Sequence, residues 1–478
     1  MGSGIGERLG VEDHRARGKG AREEAPRSSH AVWSPPADRQ DPVDLLGEQN
    51  LTRDPDLVPI RHGRMLVSPF TFYRGAAKVM AADLRHTPTA GLTTQLCGDA
   101  HLSNFGMFAS PERVLLLDLN DFDETLPGPF EYDVKRLAAS FTIVARNNGF
   151  TESEARESTL AAVRAYREAM AAFAEMRTLD VWYARRSEDE LKKELDLAAS
   201  LQRDKATKKV MRDARKAAEK GTRKARTRDS LHALAKLAEH VDGSYRIVSQ
   251  PPAVVPAREI GDLMGISADE VQARIRKQFD DYRSTLPDDR RQLLDRFEIV
   301  DVARKVVGVG SVGTRAYIVL LMGRDQRDPL FLQVKEATRS VLEDHLPASR
   351  YRQPGERVVQ GQRMMQAASD IFLGWAPGAE TDRHYYWRQL RDMKASASVE
   401  SMLPPVLTVY ARQCGWTLAR AHARSGDPIA ISSYLGKGDD FDSAVADFSR
   451  SYADQNEQDF QAFADAVRIG RLDAVHDG

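Results

Sequence analysis

The apolar pattern of the chain predicts an α+β fold in which a strand-rich segment lies between two helical ones. Three observations carry this. Apolar residues recur at helical spacing from Pro129 to about residue 240. Short alternating or continuous apolar runs bounded by Gly and Pro dominate residues 301–395. Helical spacing returns over Pro404–Ala423 and Asp440–Val467. The chain therefore divides into a tail (1–45), a first helical part with a helical insertion (46–300), a β-rich part (301–395) and a helical remainder (396–478).

The tail is rich in Gly, Arg, Glu, Ser and Pro without apolar periodicity and is expected to be disordered. Ser68-Pro69-Phe70-Thr71-Phe72-Tyr73-Arg74-Gly75 leads into a helix ending near Leu84. Thr93–Leu96 and Val114–Leu119 read as short buried strands. The helix containing Tyr132-Asp133-Val134-Lys135-Arg136 is stopped by Gly149. Within the long helices that follow, Arg203–Arg228 carries a net nine positive charges, read either as a solvated face or as a surface for an anionic substrate or RNA. Val306–Leu321 reads strand, glycine turn, strand, and Pro329–Glu336 reads as a third strand. A helix over Arg357–Ser369 and strands over Ile371–Trp375 and His384–Leu390 complete the β-rich part.

Composition narrows the function classes. The 478 residues are 42% hydrophobic and 29% charged with a formal net charge of -1, which argues against a general nucleic-acid partner. Two cysteines, Cys97 and Cys414, rule out a disulfide scaffold or a Cys-rich zinc protein. There is no apolar run long enough to span a bilayer and no signal-peptide core, so no membrane partner and a cytoplasmic location are expected. The acceptor and the oligomeric state leave no signature.

The chemistry-bearing stretch is Leu96-Cys97-Gly98-Asp99-Ala100-His101-Leu102-Ser103-Asn104, followed by Leu116-Leu117-Asp118-Leu119-Asn120-Asp121-Phe122-Asp123. It supplies a carboxylate (Asp99), an Asn five residues on (Asn104) and a second carboxylate after an apolar strand (Asp121). Phosphoryl transfer needs such parts, one carboxylate to orient an acceptor hydroxyl and an Asn and an Asp to hold Mg²⁺ against phosphates. Asp118 and Asp123 compete with Asp121 for the metal role, because the strand could end at either. Gly308-x-Gly310-Ser311-x-Gly313 lies between two strands, which suits a hairpin folded over phosphates better than a dinucleotide site. Lys335, at the end of the next strand, is costly to bury unless paired or bound to an anion. Arg61, Arg64, Tyr73 and Arg74 could clamp an anionic acceptor. Asp133 is read as holding the loop from its helix, and His101 as orienting it.

These strings resemble protein kinases and, more closely, the Gly-Asp-x-His-x-x-Asn loop of aminoglycoside and choline kinases. Gly128-Pro129-Phe130-Glu131-Tyr132-Asp133 resembles the helix start that follows the metal Asp in those enzymes. Leu418-Ala419-Arg420-Ala421-His422-Ala423 resembles the helix that precedes their catalytic loop. The parts stand in cyclic rather than linear order, so the chain looks like a two-lobed, circularly permuted protein-kinase-like fold with helical insertions. The motifs Ser68–Gly75, Leu96–Gly106, Leu332–Ala337 and Arg388–Lys394 also resemble the bacterial domain-of-unknown-function family 2252 over most of the chain. The kinase resemblance implies ATP and Mg²⁺ as cofactors, Asp99 as catalytic base, Asn104 and Asp121 as metal ligands, and Gly308, Gly310, Ser311, Gly313 and Lys335 as nucleotide-binding residues. It implies an ATP/Mg-dependent phosphotransferase acting on a small-molecule or protein hydroxyl. The helix Glu that should pair with the lysine is missing: Gln360, Gln362, Gln366, Glu356 and Glu343 are the candidates at hand. That departure keeps a nucleotide-binding pseudokinase open, and a flipped nucleotide would make the protein a nucleotidyl (AMP) transferase.

Overall fold

The computed structural model describes residues 9–259, 267–306, 308–378, 382–390 and 393–475. The fold is α+β. The first helical part holds α1 (Val11–Glu24), α2 (Pro42–Asn50), α3 (Val58–Met65), α4 (Pro69–Gly75) and α5 (Ala77–Leu84). Strands β1 (Thr93–Leu96), β2 (Phe105–Ala109), β3 (Leu115–Leu119) and β4 (Leu126–Pro129) carry the predicted catalytic loop. Helices α6 (Phe130–Asn147), α7 (Glu152–Glu175), α8 (Thr178–Tyr183), α9 (Glu188–Leu201), α10 (Lys205–Arg226) and α11 (Ser230–Leu237) follow. The hairpin β5 (Ala238–Val241) and β6 (Ser244–Ile247), then β7 (Val254–Pro256), α12 (Ala268–Ser284) and α13 (Asp288–Leu294), lead into the sheet. The sheet strands are β8 (Glu298–Lys305), β9 (Ala316–Met322), β10 (Pro329–Ala337), β11 (Gly374–Pro377) and β12 (His384–Gln389), with α14 (Pro354–Met365) inserted before β11. The short β13 (Ala395–Ser396) precedes α15 (Pro404–Ser425), α16 (Pro428–Leu435) and α17 (Asp440–Arg468).

Local chemistry fixes several boundaries. Thr151 and Glu154 form a reciprocal capping box at the start of α7. Asp204 caps α10 by accepting from Thr207 N at 2.7 Å. Helix α6 is buried along almost its whole length, including Glu131, Asp133, Lys135 and Arg136 of its first two turns, and packs against α7 and α17.

The sheet is antiparallel, in the order β11-β12-β10-β9-β8-β7. All nine residues of β10 are buried, because both of its faces are covered. Leu330, Leu332 and Val334 face one way, into a cluster with Val302, Val319 and Trp387; Tyr282 of α12 stacks on Trp387 at 4.5 Å. Phe331, Gln333 and Lys335 face the other way. Register places Lys335 between Ala316 and Tyr386. The sheet starts earlier than the sequence boundary at 301, since β7 and the first residues of β8 already belong to it.

The tail is corrected. From residue 9 onward it is ordered, and α1 docks on α16 through polar contacts that leave no apolar stripe in the sequence. Residues 1–8 lie outside the described residues, as do Val307 of the glycine turn and Arg391 and Asp392 of the Arg388–Lys394 string. Among the described residues no helix is long and apolar enough to cross a membrane. Cys97 and Cys414 are both free and buried.

Candidate functional site

The loop after β1 is built around its neighbours' carboxylates. Gly98 has φ +82°, and a Cβ there would fall 2.3 Å from the carbonyl oxygen of Glu124, so only glycine fits. Asp133, in the first turn of α6, accepts from Cys97 N at 2.8 Å and Gly98 N at 3.1 Å. His422 of α15 holds Asp133 in turn, with Nε2 3.3 Å from its carboxylate and Nδ1 2.9 Å from the Tyr166 hydroxyl. Asp133 therefore holds the loop, as read from the sequence. Asn104 closes the loop by donating its side-chain nitrogen to the Asp99 carbonyl at 2.7 Å.

Arg136, three residues beyond Asp133 on α6, donates from Nε and Nη2 to Asp99 Oδ1 at 2.9 and 2.6 Å. Its guanidinium lies 4.0 Å over the Tyr73 ring and also donates to the Tyr73 carbonyl. Burial opposes ionisation of Asp99, but the guanidinium groups of Arg136 and, to a lesser degree, Arg74 outweigh it and hold the carboxyl below its ordinary value. His101 is pushed down to about 3 by burial, so its imidazole is neutral 3.7 Å from Asp99.

The three competing aspartates separate by environment. Asp118 is fully buried, bound to Arg420 and to Ala367 N at 2.8 Å, and lies away from solvent. Asp123 is the partner of Lys335, with Nζ 2.6 Å from Oδ2, while Tyr386 donates its hydroxyl to Oδ1 at 2.7 Å. Burial works against the Asp123 charge, but Lys335 and Tyr386 more than offset it, and its pKa lies below normal. Asp121 is the reverse case: burial and then the neighbouring Asp123 charge raise its pKa. Glu124 is pushed up to about 7 by burial, with Oε2 accepting from Val341 N at 2.7 Å.

None of the five side chains weighed as the lysine's partner fills that role. Gln362 and Gln366 bond each other at 3.0 Å, Gln366 also donates to the Leu119 carbonyl, and Glu343 caps a turn at Ser340. Helix α14 instead turns Arg357 toward the site, where it donates to the carbonyls of Thr125, Asp123 and Thr338 at 2.6–2.8 Å. The sequence signal for Asp123 was its place two residues after Asp121. What the sequence lacks is the turn after β3 that brings Asp123 to Lys335 of the sheet while both aspartates line the cleft.

The glycine turn is held by the segment before the loop. Arg53 donates to the Val312 carbonyl and Arg64 to the Gly308 carbonyl. Asp54 N donates to the Gly313 carbonyl at 2.8 Å. A Cβ on Gly310 would press on the Arg74 carbonyl at 3.1 Å. The expected arginine clamp is thus divided. Arg61 is fully buried and bonds Asn50, Gln49 and the Gly75 carbonyl, so it is structural. Tyr73 is core, and Arg74 alone of the four faces the open cleft.

That cleft, about 350 Å³, is lined by Asp99, Asn104, Asp121 and Asp123 from one side and by Gly308, Gly310 and Ser311 from the other. Arg53, Arg74, Lys78 and Arg339 supply positive charge along it. Lys335 is not a wall of the cleft but lies directly behind Asp123. Gly313 is turned away from the cleft, against the Arg53 side chain.

Among the described residues no three His, Cys, Asp or Glu side chains converge to hold a metal by themselves. Mg²⁺ asks for less: one or two protein oxygens, with water and phosphate supplying the rest. Asp121 fits, because a cation beside it would relieve the burial and like-charge repulsion that raise its pKa. Asn104 fits too, since its nitrogen is engaged by Asp99 and the oxygen is what it has to offer a cation.

A family model described as an uncharacterized protein conserved in bacteria (DUF2252) matches residues 53–466. No curated protein and no solved structure matches the chain. The family match takes in every cleft residue named above; Glu48, Gln49 and Thr52, which also line the cleft from α2 and the turn after it, lie outside the match. On that coverage the chain belongs to the bacterial DUF2252 family.

Proposed function

We propose that this protein is a Mg²⁺-dependent phosphotransferase that moves a phosphoryl group from ATP to a hydroxyl, on a circularly permuted kinase-like arrangement of two lobes. The observation that supports it is convergence. Asp99, Asn104 and Asp121 share one cleft with Gly308, Gly310 and Ser311, although about two hundred residues separate the two groups.

In this reading the acceptor hydroxyl sits against Asp99, whose carboxylate stays ionised beside Arg136 and takes the hydroxyl proton as the new O–P bond to the γ-phosphorus forms and the bond from that phosphorus to the bridging oxygen breaks, releasing ADP. The backbone N–H groups of the glycine turn cradle the phosphates, and Arg74 and Arg53 balance their charge. Asn104 and Asp121 would hold Mg²⁺, which when bound neutralises charge on the phosphates. Lys335 reaches the phosphates only by sharing or leaving Asp123, so its exchange between carboxylate and phosphate accompanies donor binding.

Thermal unfolding of wild type and Lys335→Ala, with and without Mg-ATP, tests the donor site. A ligand at a hundredfold over Kd adds about 2.7 kcal/mol, so the wild type should shift and the variant should not. Absence of any shift at millimolar nucleotide defeats the proposal. Following α- and γ-phosphate labels separately then distinguishes phosphoryl from nucleotidyl transfer. A pseudokinase is the second reading, favoured by one observation: α14 offers an arginine, Arg357, where an acid would be expected to meet the lysine. Nucleotide binding without turnover of any acceptor would support it.

A further inference from the structure

We infer that the donor is recognised by its phosphates alone and that the site does not read a nucleobase. The inference rests on the phosphotransferase reading and names the substrate class of that same cleft. A base is bound by flat apolar surface together with a few polar edges. Among the described residues no Phe, Tyr or Trp lines the cleft; Ala77, Val309 and Val341 are its apolar side chains, and the rest of its walls are glycine, polar or charged.

Apolar surface does exist next to the phosphate end. The sheet face that carries Lys335 continues through Ile318, Leu320 and Phe331 to Ala303 and Leu390. That surface is already spent. Ala233, Leu234 and Leu237 of α11 and Ile247 of β6 cover it, and every one of these residues is buried. The backbone of the described residues beside it is paired as well. In the connection after β12, Met393 N donates to the Arg228 carbonyl at 3.0 Å, and Arg228 Nη1 donates to the Lys394 carbonyl at 2.8 Å. Arg228 lies in the turn between α10 and α11, so the same insertion fills the apolar slot and pairs with the adjacent backbone. Arg388 bridges Gln333 at 3.1 Å and the Asn120 carbonyl at 3.2 Å, and the cavity of about 320 Å³ that Arg388 and Asn120 line with Phe108, Phe297 and Phe372 shares no lining residue with the cleft. The phosphate chain therefore finds donors and cations, while a base would project from the cleft without a partner.

The test is a binding panel on the full chain with Mg²⁺: ATP, GTP, CTP, UTP and inorganic tripolyphosphate, measured by titration calorimetry on wild type and Lys335→Ala. Expected are dissociation constants within about threefold of one another, all lost in the variant. ATP binding more than tenfold tighter than both tripolyphosphate and the other nucleotides overturns the inference, shows that the α10–α11 insertion moves aside for a base, and leaves the phosphotransferase reading intact. No binding of any of the five overturns both. Equal binding that survives Lys335→Ala places the anions elsewhere and also overturns the inference.

Discussion

Asp99 and Arg136 show how a single pair sets the charge state of the cleft. Arg136 is itself nearly inaccessible, so the pair is a buried one whose Coulomb term is only weakly screened. With its pKa below the unfolded value, Asp99 contributes stability that is present above the ordinary carboxylate range and is lost as pH falls through the folded value. In Arg136→Leu burial is opposed by Arg74 but no longer by its main partner, and the folded pKa is expected to rise above the unfolded one. The sign then reverses, and stability falls as pH increases. We expect a deficit of about 3–5 kcal/mol at pH 7 that shrinks toward pH 4, read by denaturant melts across that range. A deficit independent of pH would mean that Arg136 acts only through its contacts to Tyr73. At this scale the sequence was informative where a motif fixes spacing, as for Asp99 and Asn104. It was silent where a partner comes from a distant element, as for Arg136 and for the Lys335–Asp123 pair.

At the scale of elements, the strands and long helices announced themselves by period, and α1 did not. Within α1 only Gly18 is buried, so there is no apolar stripe to read. What holds the helix is contact chemistry. Arg22 donates to the Tyr434 carbonyl at 2.9 Å and Arg27 to the Leu435 carbonyl at 2.8 Å, satisfying the last carbonyls of α16. His14 meets Asp427, the N-cap of α16, at 2.6 Å. Gly18 permits the approach, since a Cβ there would lie 2.0 Å from the Ala430 carbonyl oxygen. Gly18→Val should therefore lift α1 away at a cost of about 1–3 kcal/mol. Hydrogen exchange should show residues 11–24 losing protection while α6 and α7 keep theirs. Retained protection in α1 would show that the Arg22 and Arg27 contacts suffice without close approach.

For the whole molecule, the cleft depends on a joint between the sheet side and the helical side, and Asp118 sits in it. The sequence placed Asp118 among three candidate metal ligands because nothing local distinguishes it from Asp121. The structure distinguishes them by what arrives from elsewhere. Arg420 of α15 reaches both Asp118 and the Met365 carbonyl, and Arg424 reaches the Gln366 carbonyl, so two arginines of one helix cap the end of α14. Asp118 completes the joint by accepting from Ala367 N. Strand β3, the end of α14 and α15 thus meet at one buried carboxylate, and that junction sets where Asp121 and Asp123 leave β3 toward the cleft. Asp118→Ala leaves Arg420 buried without its anion and should cost about 3–5 kcal/mol. Asp121→Ala removes a carboxylate whose charge is opposed by burial and by Asp123, and should leave the unliganded protein as stable as wild type or slightly more so. The same Asp121→Ala protein should lose the Mg²⁺-dependent part of its stabilisation by ATP. Urea melts of both variants, each with and without Mg-ATP, check the pair. If Asp121→Ala unfolds early and Asp118→Ala does not, the metal and structural roles assigned to the two aspartates are interchanged, and the path from joint to cleft is wrong.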